Sequence, residues 1–374
     1  MKVLLAPDKF KGSLSAVAVA ESIARGWKTG MPLAQIQFAP IADGGEGFCE
    51  ALAFSLGGVW VEVESKDAIG RSIVSRYSWV ERTATAVIEM SDASGLWRLQ
   101  RSELSPMRAN TFGTGLLIRD AINRGARRIY VGLGGSATTD GGVGMAAALG
   151  VRFSDSTGKL LEPVPELLSR IARIDVTEMV SMPELIAACD VQNPLLGVRG
   201  TARVYAPQKG AGERQIGLLE AGLENLADVI ARDLGVDFRD TPGVGAAGGI
   251  GFGLLSFCRA TMQQGFDLVA SAVGLRDLVV AADLVITGEG RLDSQTLEGK
   301  GPAGVAAMAR ANGKPVLAFA GSLEHGVPFE KCFDAVIPII DEPVSLEEAM
   351  RRGAEFLERA AVRTARLLQV KPLL

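Results

Sequence analysis

Histidine is nearly missing from this chain: His325 is the single one among 374 residues. Ser-His-Asp and Cys-His triads and multi-histidine metal sites thereby lose their usual members. A general base here should be a carboxylate or a lysine. The four cysteines, Cys49, Cys189, Cys258 and Cys332, form no C-x-x-C pair. That argues against a zinc cluster or a disulfide framework and suits buried, reduced thiols. No apolar run approaches the ~18 residues a membrane span needs. The apolar stretch 1–6 meets Pro7, Asp8, Lys9 and Lys11 too soon for a signal-peptide core. A basic excess is lacking too, with 39 Lys and Arg against 43 Asp and Glu, so no nucleic-acid partner is expected. The expectation is a cytoplasmic protein that engages neither nucleic acid nor membrane.

What is abundant is glycine, 45 residues, within a composition 48% hydrophobic and 22% charged. Such a chain folds, and its length suggests two domains. Apolar runs without polar alternation occur in KVLLAPD (2–8), RRIYVGLGG (127–135), DLVITGEG (283–290), KPVLAFAG (314–321) and AVIPII (335–340). They read as strands buried on both faces of a parallel sheet. Amphipathic stretches at 15–27, 303–311 and 346–368 supply helices, with Ser13 or Ser15 as a cap for the first. Residues 59–90 alternate polar and apolar around Gly70, as an antiparallel meander does. Strand-like pieces at 186–189 and 202–206 lie among helices. The expected fold is therefore α/β, a doubly wound parallel-sheet domain carrying a second, inserted domain with a mixed sheet. The expected boundaries are 1–60, 100–150 and 255–374 for the first domain, and 61–99 and 151–254 for the second.

Two glycine-rich loops stand out. GLGGSATTDGGVG (132–144) follows a strand and precedes a helix, where backbone N–H groups can face an anion. PGVGAAGGIGFG (242–253) contains G-x-G-x-x-G, but lacks the preceding strand and the later acid of a dinucleotide site. Its small residues suit close packing equally well. Neither loop is a Walker A sequence. Charges also gather at the expected carboxyl ends of strands: Asp8, Lys11, Asp43, Glu46, Asp190, Asn193, Lys209, Glu289 and Asp293. Acids mixed with lysines beside glycine loops suit phosphate and a divalent metal.

APDKFKGSLSA (6–16), ADGGEG (42–47), GGSATTDGG (134–142), DVQNPLLG (190–197), APQKGA (206–211), PGVGAAGG (242–249) and ITGEGRLDSQTLEGK (286–300) together resemble the bacterial glycerate kinases of the GarK/GlxK type. The resemblance spans nearly the whole chain in order. It implies two α/β domains with the active site in the cleft between them, and Mg-ATP-dependent phosphorylation of D-glycerate, mainly to 2-phosphoglycerate, by a monomer or homodimer. Departures from the pattern are Lys9 for Ser, Phe48 for Thr, Thr139 for Asn and Gln192 for Thr.

On this reading the catalytic residues are Asp190 as base, with Lys11 and Lys209. ATP is expected on Gly134, Gly135, Ser136 and Ala137, with Gly245, Gly248, Gly249 and Glu289. Substrate contacts are expected from Asp8, Arg71, Asn193, Arg291 and Asp293, and Mg²⁺ ligands from Asp43, Glu46 and Asp140. Spacing does not separate transfer to O2 from transfer to O3. The rivals are a nicotinamide-dependent oxidoreductase, a galactokinase-like kinase and a non-catalytic small-molecule sensor.

Overall fold

The computed structural model describes residues 1–294, 296–298 and 301–370. Its strands, in chain order, are β1 (Lys2–Leu5), β2 (Gln35–Phe38), β3 (Val59–Lys66), β4 (Ser72–Val80), β5 (Thr85–Glu89), β6 (Arg128–Gly132) and β7 (Arg152–Ser154). There follow β8 (Arg173–Asp175), β9 (Glu184–Ala188), β10 (Thr261–Gln263), β11 (Leu284–Leu292), β12 (Val316–Leu323) and β13 (Ala335–Pro338). The chain divides into two compact units. The first comprises Met1–Asp43, Glu50–Leu56 and Phe266–Leu374, the second Gly44–Cys49 and Gly57–Gly265.

The first unit holds a five-stranded sheet in the order β13-β12-β11-β1-β2, parallel throughout. Successive β1 residues face opposite sides, as the period of a strand requires. Val3 and Leu5 pack with Trp27 of the helix Ala16–Gly30 and Phe356 of the helix Gly353–Leu367. Leu4 and Ala6 pack on the other face with Val305 and Ala309 of the helix Pro302–Ala311. Both faces are thus covered, which is why these strands carry no polar alternation. Ser15 caps the first helix by accepting the Ala18 N–H at 3.3 Å.

The second unit holds a six-stranded mixed sheet, β10-β9-β6-β5-β4-β3. Strands β3, β4 and β5 form the antiparallel meander, and β5, β6, β9 and β10 run parallel. A separate antiparallel pair joins β7 and β8.

Two expectations are corrected. Residues 100–150, assigned to the parallel domain of the chain ends, lie in the second unit, because β6 pairs with β5 and β9 and has no partner in the five-stranded sheet. Residues 202–206 are not a strand. Thr201–Tyr205 is a helical turn, entered from Gly200 and ended at Pro207, with Thr201 and Ala202 buried. Among the described residues no helix is long and apolar enough to cross a membrane.

Candidate active site

In the first unit, β1 and β11 are neighbours whose carboxyl ends carry charged residues. Asp8, just past β1, is 7% exposed. Its carboxylate accepts the Lys9 N–H at 2.6 Å, and the Lys9 ammonium lies 3.7 Å from Asp8 and 3.2 Å from Asp43. Burial pushes the Asp8 carboxyl up to about 6; Lys9 opposes the shift and Asp43 adds to it. Glu289 on β11 is half-buried and accepts the Thr296 hydroxyl at 2.7 Å. Burial pushes Glu289 up to about 7 against that bond, with Asp8 and Asp293 contributing. Lys11 and Arg291 face the same cavity of about 620 Å³, and Arg291 lies 3.7 Å from Asp293.

These raised values have a stability consequence. A carboxyl that is more basic when folded stabilises the fold below its unfolded pKa, near 4 here, and that stability is lost as pH rises through 6 to 7. Asp8→Asn removes the buried charge while retaining an acceptor for the Lys9 N–H. The variant is expected to be more stable than the parent at pH 8 by about 1–3 kcal/mol, with the difference closing near pH 4. Thermal melts across that range check this. A parent that is the more stable at pH 8 contradicts it.

In the second unit, the loop after β6 is built from inside. Asp140 is fully buried. It accepts N–H groups from Thr111, Gly142 and Gly144 and the Thr111 hydroxyl, at 2.8–3.2 Å. Burial raises its pKa, and those bonds oppose the rise. Four internal donors engage both oxygens, so the expected metal ligand is instead the tie that shapes the loop. Lys209, 1% exposed, donates to Ser136 Oγ at 2.8 Å and to the Thr138 carbonyl at 2.5 Å. Burial brings its pKa down to about 7, with Asp140 opposing. It is a strut beneath the loop.

The glycines of the second loop pack on the first. Gly249 abuts Gly141, the Gly141 N–H donates to the Gly248 carbonyl at 3.0 Å, and the Gly245 N–H donates to Asn193. Close packing therefore accounts for Gly245, Gly248 and Gly249, which were expected to hold nucleotide. In the first loop the Ala137 N–H donates to Ser94. Those of Gly134, Gly135 and Ser136 have no backbone acceptor among the described residues.

Asp190 follows β9, whose Ala188 is in register with Gly132 of β6, so Asp190 and this loop share one sheet edge. Its carboxylate accepts the Gly265 N–H at 3.1 Å. Asn193 is engaged in loop structure by Tyr205 and the Arg199 carbonyl. Arg71, expected to clamp a substrate carboxylate, is paired with Asp67 at 2.5 Å and Glu103 at 2.6 Å. Glu46 is exposed.

Two residues escape a reading of the sequence. Lys9, which stands out there only as a departure from the family pattern, bridges the two acids. Glu89, at the end of β5, accepts N–H groups of Gly47 and Cys49 and the Ser91 hydroxyl, holding the ADGGEG segment. The signal is present: an acid at the end of an apolar run.

For Mg²⁺ the donor chemistry fits in the first unit. Among the described residues no group of three His, Cys, Asp or Glu side chains could hold an ion by itself. Mg²⁺ bound with phosphates and water needs only one or two carboxylates, and Asp8 and Asp43 meet at Lys9.

A two-unit α/β protein with acids and lysines at the carboxyl ends of its strands has the makings of a phosphotransferase. Residues 3–369 match the glycerate kinase family. A glycerate kinase of Bacillus subtilis is 42% identical over 366 residues, covering 96% of each chain. The glycerate 2-kinase of Escherichia coli K12 is 39% identical, covering 99% of this chain and 98% of its own. A crystal structure from Salmonella typhimurium LT2, of a protein proposed to be glycerate kinase 2, superposes with a TM-score of 0.90. It is 41% identical and covers 99% of this chain and 98% of its own. The chain belongs to the glycerate kinase family.

Proposed function

We propose that the chain transfers the γ-phosphoryl group of ATP to O2 of D-glycerate in the cytoplasm, giving 2-phosphoglycerate and ADP. The observation that carries this is the match to the family over residues 3–369. The local chemistry supports it. Asp190 takes the proton of the acceptor hydroxyl, a task for which no histidine stands in any of the motifs. The N–H groups of Gly134, Gly135 and Ser136, on the same sheet edge, hold the glycerate carboxylate, as loops entering helices hold anions.

This shifts the loop from the ATP phosphates, its expected ligand, to the acceptor, because the base stands beside it. Lys209 fixes the loop from beneath and does not itself touch the phosphate. Lys11 and Arg291 supply positive charge for the phosphates. Asp8 and Asp43 would hold Mg²⁺, which when bound offsets phosphate charge. Asp293 tethers Arg291.

ADP release measured with ATP, Mg²⁺ and the purified chain tests the activity. Release that requires D-glycerate is expected. Release that is absent, or indifferent to glycerate, overturns the reading.

A further inference from the structure

Lys209 lies almost wholly inside the second unit, and both of its hydrogen-bond partners belong to one short stretch of the loop after β6. Its ammonium donates to Ser136 Oγ at 2.8 Å and to the Thr138 carbonyl at 2.5 Å. An ammonium has three donors and no acceptor. At Ser136 the direction of the bond is therefore fixed: Oγ accepts, and the hydroxyl keeps its own proton for another partner. Among the described residues it has no such acceptor.

The backbone of Ser136 is pinned as well. Gly95 and Ser136 form an isolated antiparallel bridge. It is closed by the Leu96 N–H on the Gly135 carbonyl at 2.8 Å and the Ala137 N–H on the Ser94 carbonyl at 2.9 Å. In that arrangement the two bridged residues exchange no hydrogen bond with each other, so the Ser136 N–H points away from the 94–96 segment. Ser136 is left with two uncommitted donors, its N–H and its O–H, beside the exposed Gly135. Two donors on one fixed residue suit a carboxylate, which only accepts.

We infer that the Ser136 hydroxyl donates to the carboxylate of the acceptor, and that Lys209 is the positioning residue that keeps it a donor. These roles rest on the reading of the loop as the acceptor site and deepen it, because the strut becomes a control on binding. The control works through the proton on Lys209. Once the ammonium gives that proton up to solvent, the neutral amine has a lone pair to fill. Of its two partners only the Ser136 hydroxyl can fill it, since the Thr138 carbonyl only accepts. The bond then reverses, the hydroxyl proton turns inward, and the carboxylate loses a donor. Burial brings the Lys209 ammonium down to about 7, and Asp140 of the same loop opposes the shift. The turn Thr201–Tyr205 and Leu104, packed beside residues 207–210, bring no further charge to bear. Glycerate should therefore bind best below pH 7 and more weakly above it.

The KM for glycerate at saturating ATP, measured from about pH 6 to about pH 9, tests both roles. In the parent it should rise about tenfold or more across that range, the worth of one hydrogen bond to a charged group. Ser136→Ala should show the high KM at every pH, with kcat and the KM for ATP within about twofold of the parent. Lys209→Met has no proton to lose and should flatten the profile too. Where that variant fails to fold, Ser136→Ala, which disturbs no packing, decides alone. A rise with pH as large in Ser136→Ala as in the parent overturns the inference, and so does a KM for glycerate that ignores the loss of the hydroxyl. If Ser136→Ala raises the KM for ATP alone, the assignment of the loop to the acceptor falls with it. A parent that releases no ADP in the presence of glycerate would instead refute the kinase reading itself.

Discussion

Replacing Asp190 with asparagine is expected to lower kcat by about 10²–10⁴, the usual share of general base catalysis. A secondary hydroxyl holds its proton far too tightly at neutral pH to attack phosphorus unaided. The single histidine, His325, lies in none of the motifs that carry the site. Asp190 stands past β9 on the sheet edge it shares with the loop after β6. Asparagine preserves the shape and keeps an oxygen for the Gly265 N–H, so the fold should persist while the proton acceptor is lost. Affinity for ADP should be unchanged, since the nucleotide is assigned to the other unit. Steady-state kinetics at saturating substrates, with a thermal melt on the same sample, separate these effects. Turnover within about twofold of the parent would make Asp190 structural and move the role to Asp8 or Asp293.

The largest stability effect is expected at Gly248. Its φ is +77°, a region side chains rarely adopt, and a carbon added there would sit 1.9 Å from the Thr138 carbonyl oxygen. That neighbour is backbone and is held in turn by the Lys209 ammonium, so it has little room to yield. Gly248→Val combines left-handed strain with overpacking, each about 1–3 kcal/mol, for a total of about 3–5 kcal/mol. The melting temperature should fall by roughly 10 °C. Gly57 is the control. Its φ is +69° but nothing lies within 4 Å of the added carbon, so Gly57→Ala should cost about 1 kcal/mol. Equal melting temperatures for the two variants would refute the packing argument.

Local pattern alone makes β1, β11, β12 and β13 of the first sheet and the β3–β5 meander legible, but not β2, whose Gln35 and Gln37 interrupt the apolar run. Partner choice is not legible in the same way. The apolar run ending in β6 suits either parallel sheet, and only its register with β5 and β9 assigns it. The 202–206 stretch misleads because short apolar pieces look alike as strand and helix. Side-chain roles fail where burial decides them. Asp140 reads as a loop acid and is a fully enclosed acceptor of four hydrogen bonds, and Arg71 reads as a free cation although Asp67 lies four residues earlier in the chain. Lys9 looks like an anomaly because its meaning depends on Asp43, 34 residues away.

The central claim, a kinase that phosphorylates D-glycerate on O2, is tested most directly by the fate of its product. Enolase consumes 2-phosphoglycerate directly, whereas 3-phosphoglycerate must first pass through a mutase. With ATP, Mg²⁺, D-glycerate and enolase, phosphoenolpyruvate should form at the rate of ADP release without added mutase, and ³¹P spectra should show a phosphate on the secondary carbon. Phosphoenolpyruvate that forms only once mutase is supplied would contradict transfer to O2.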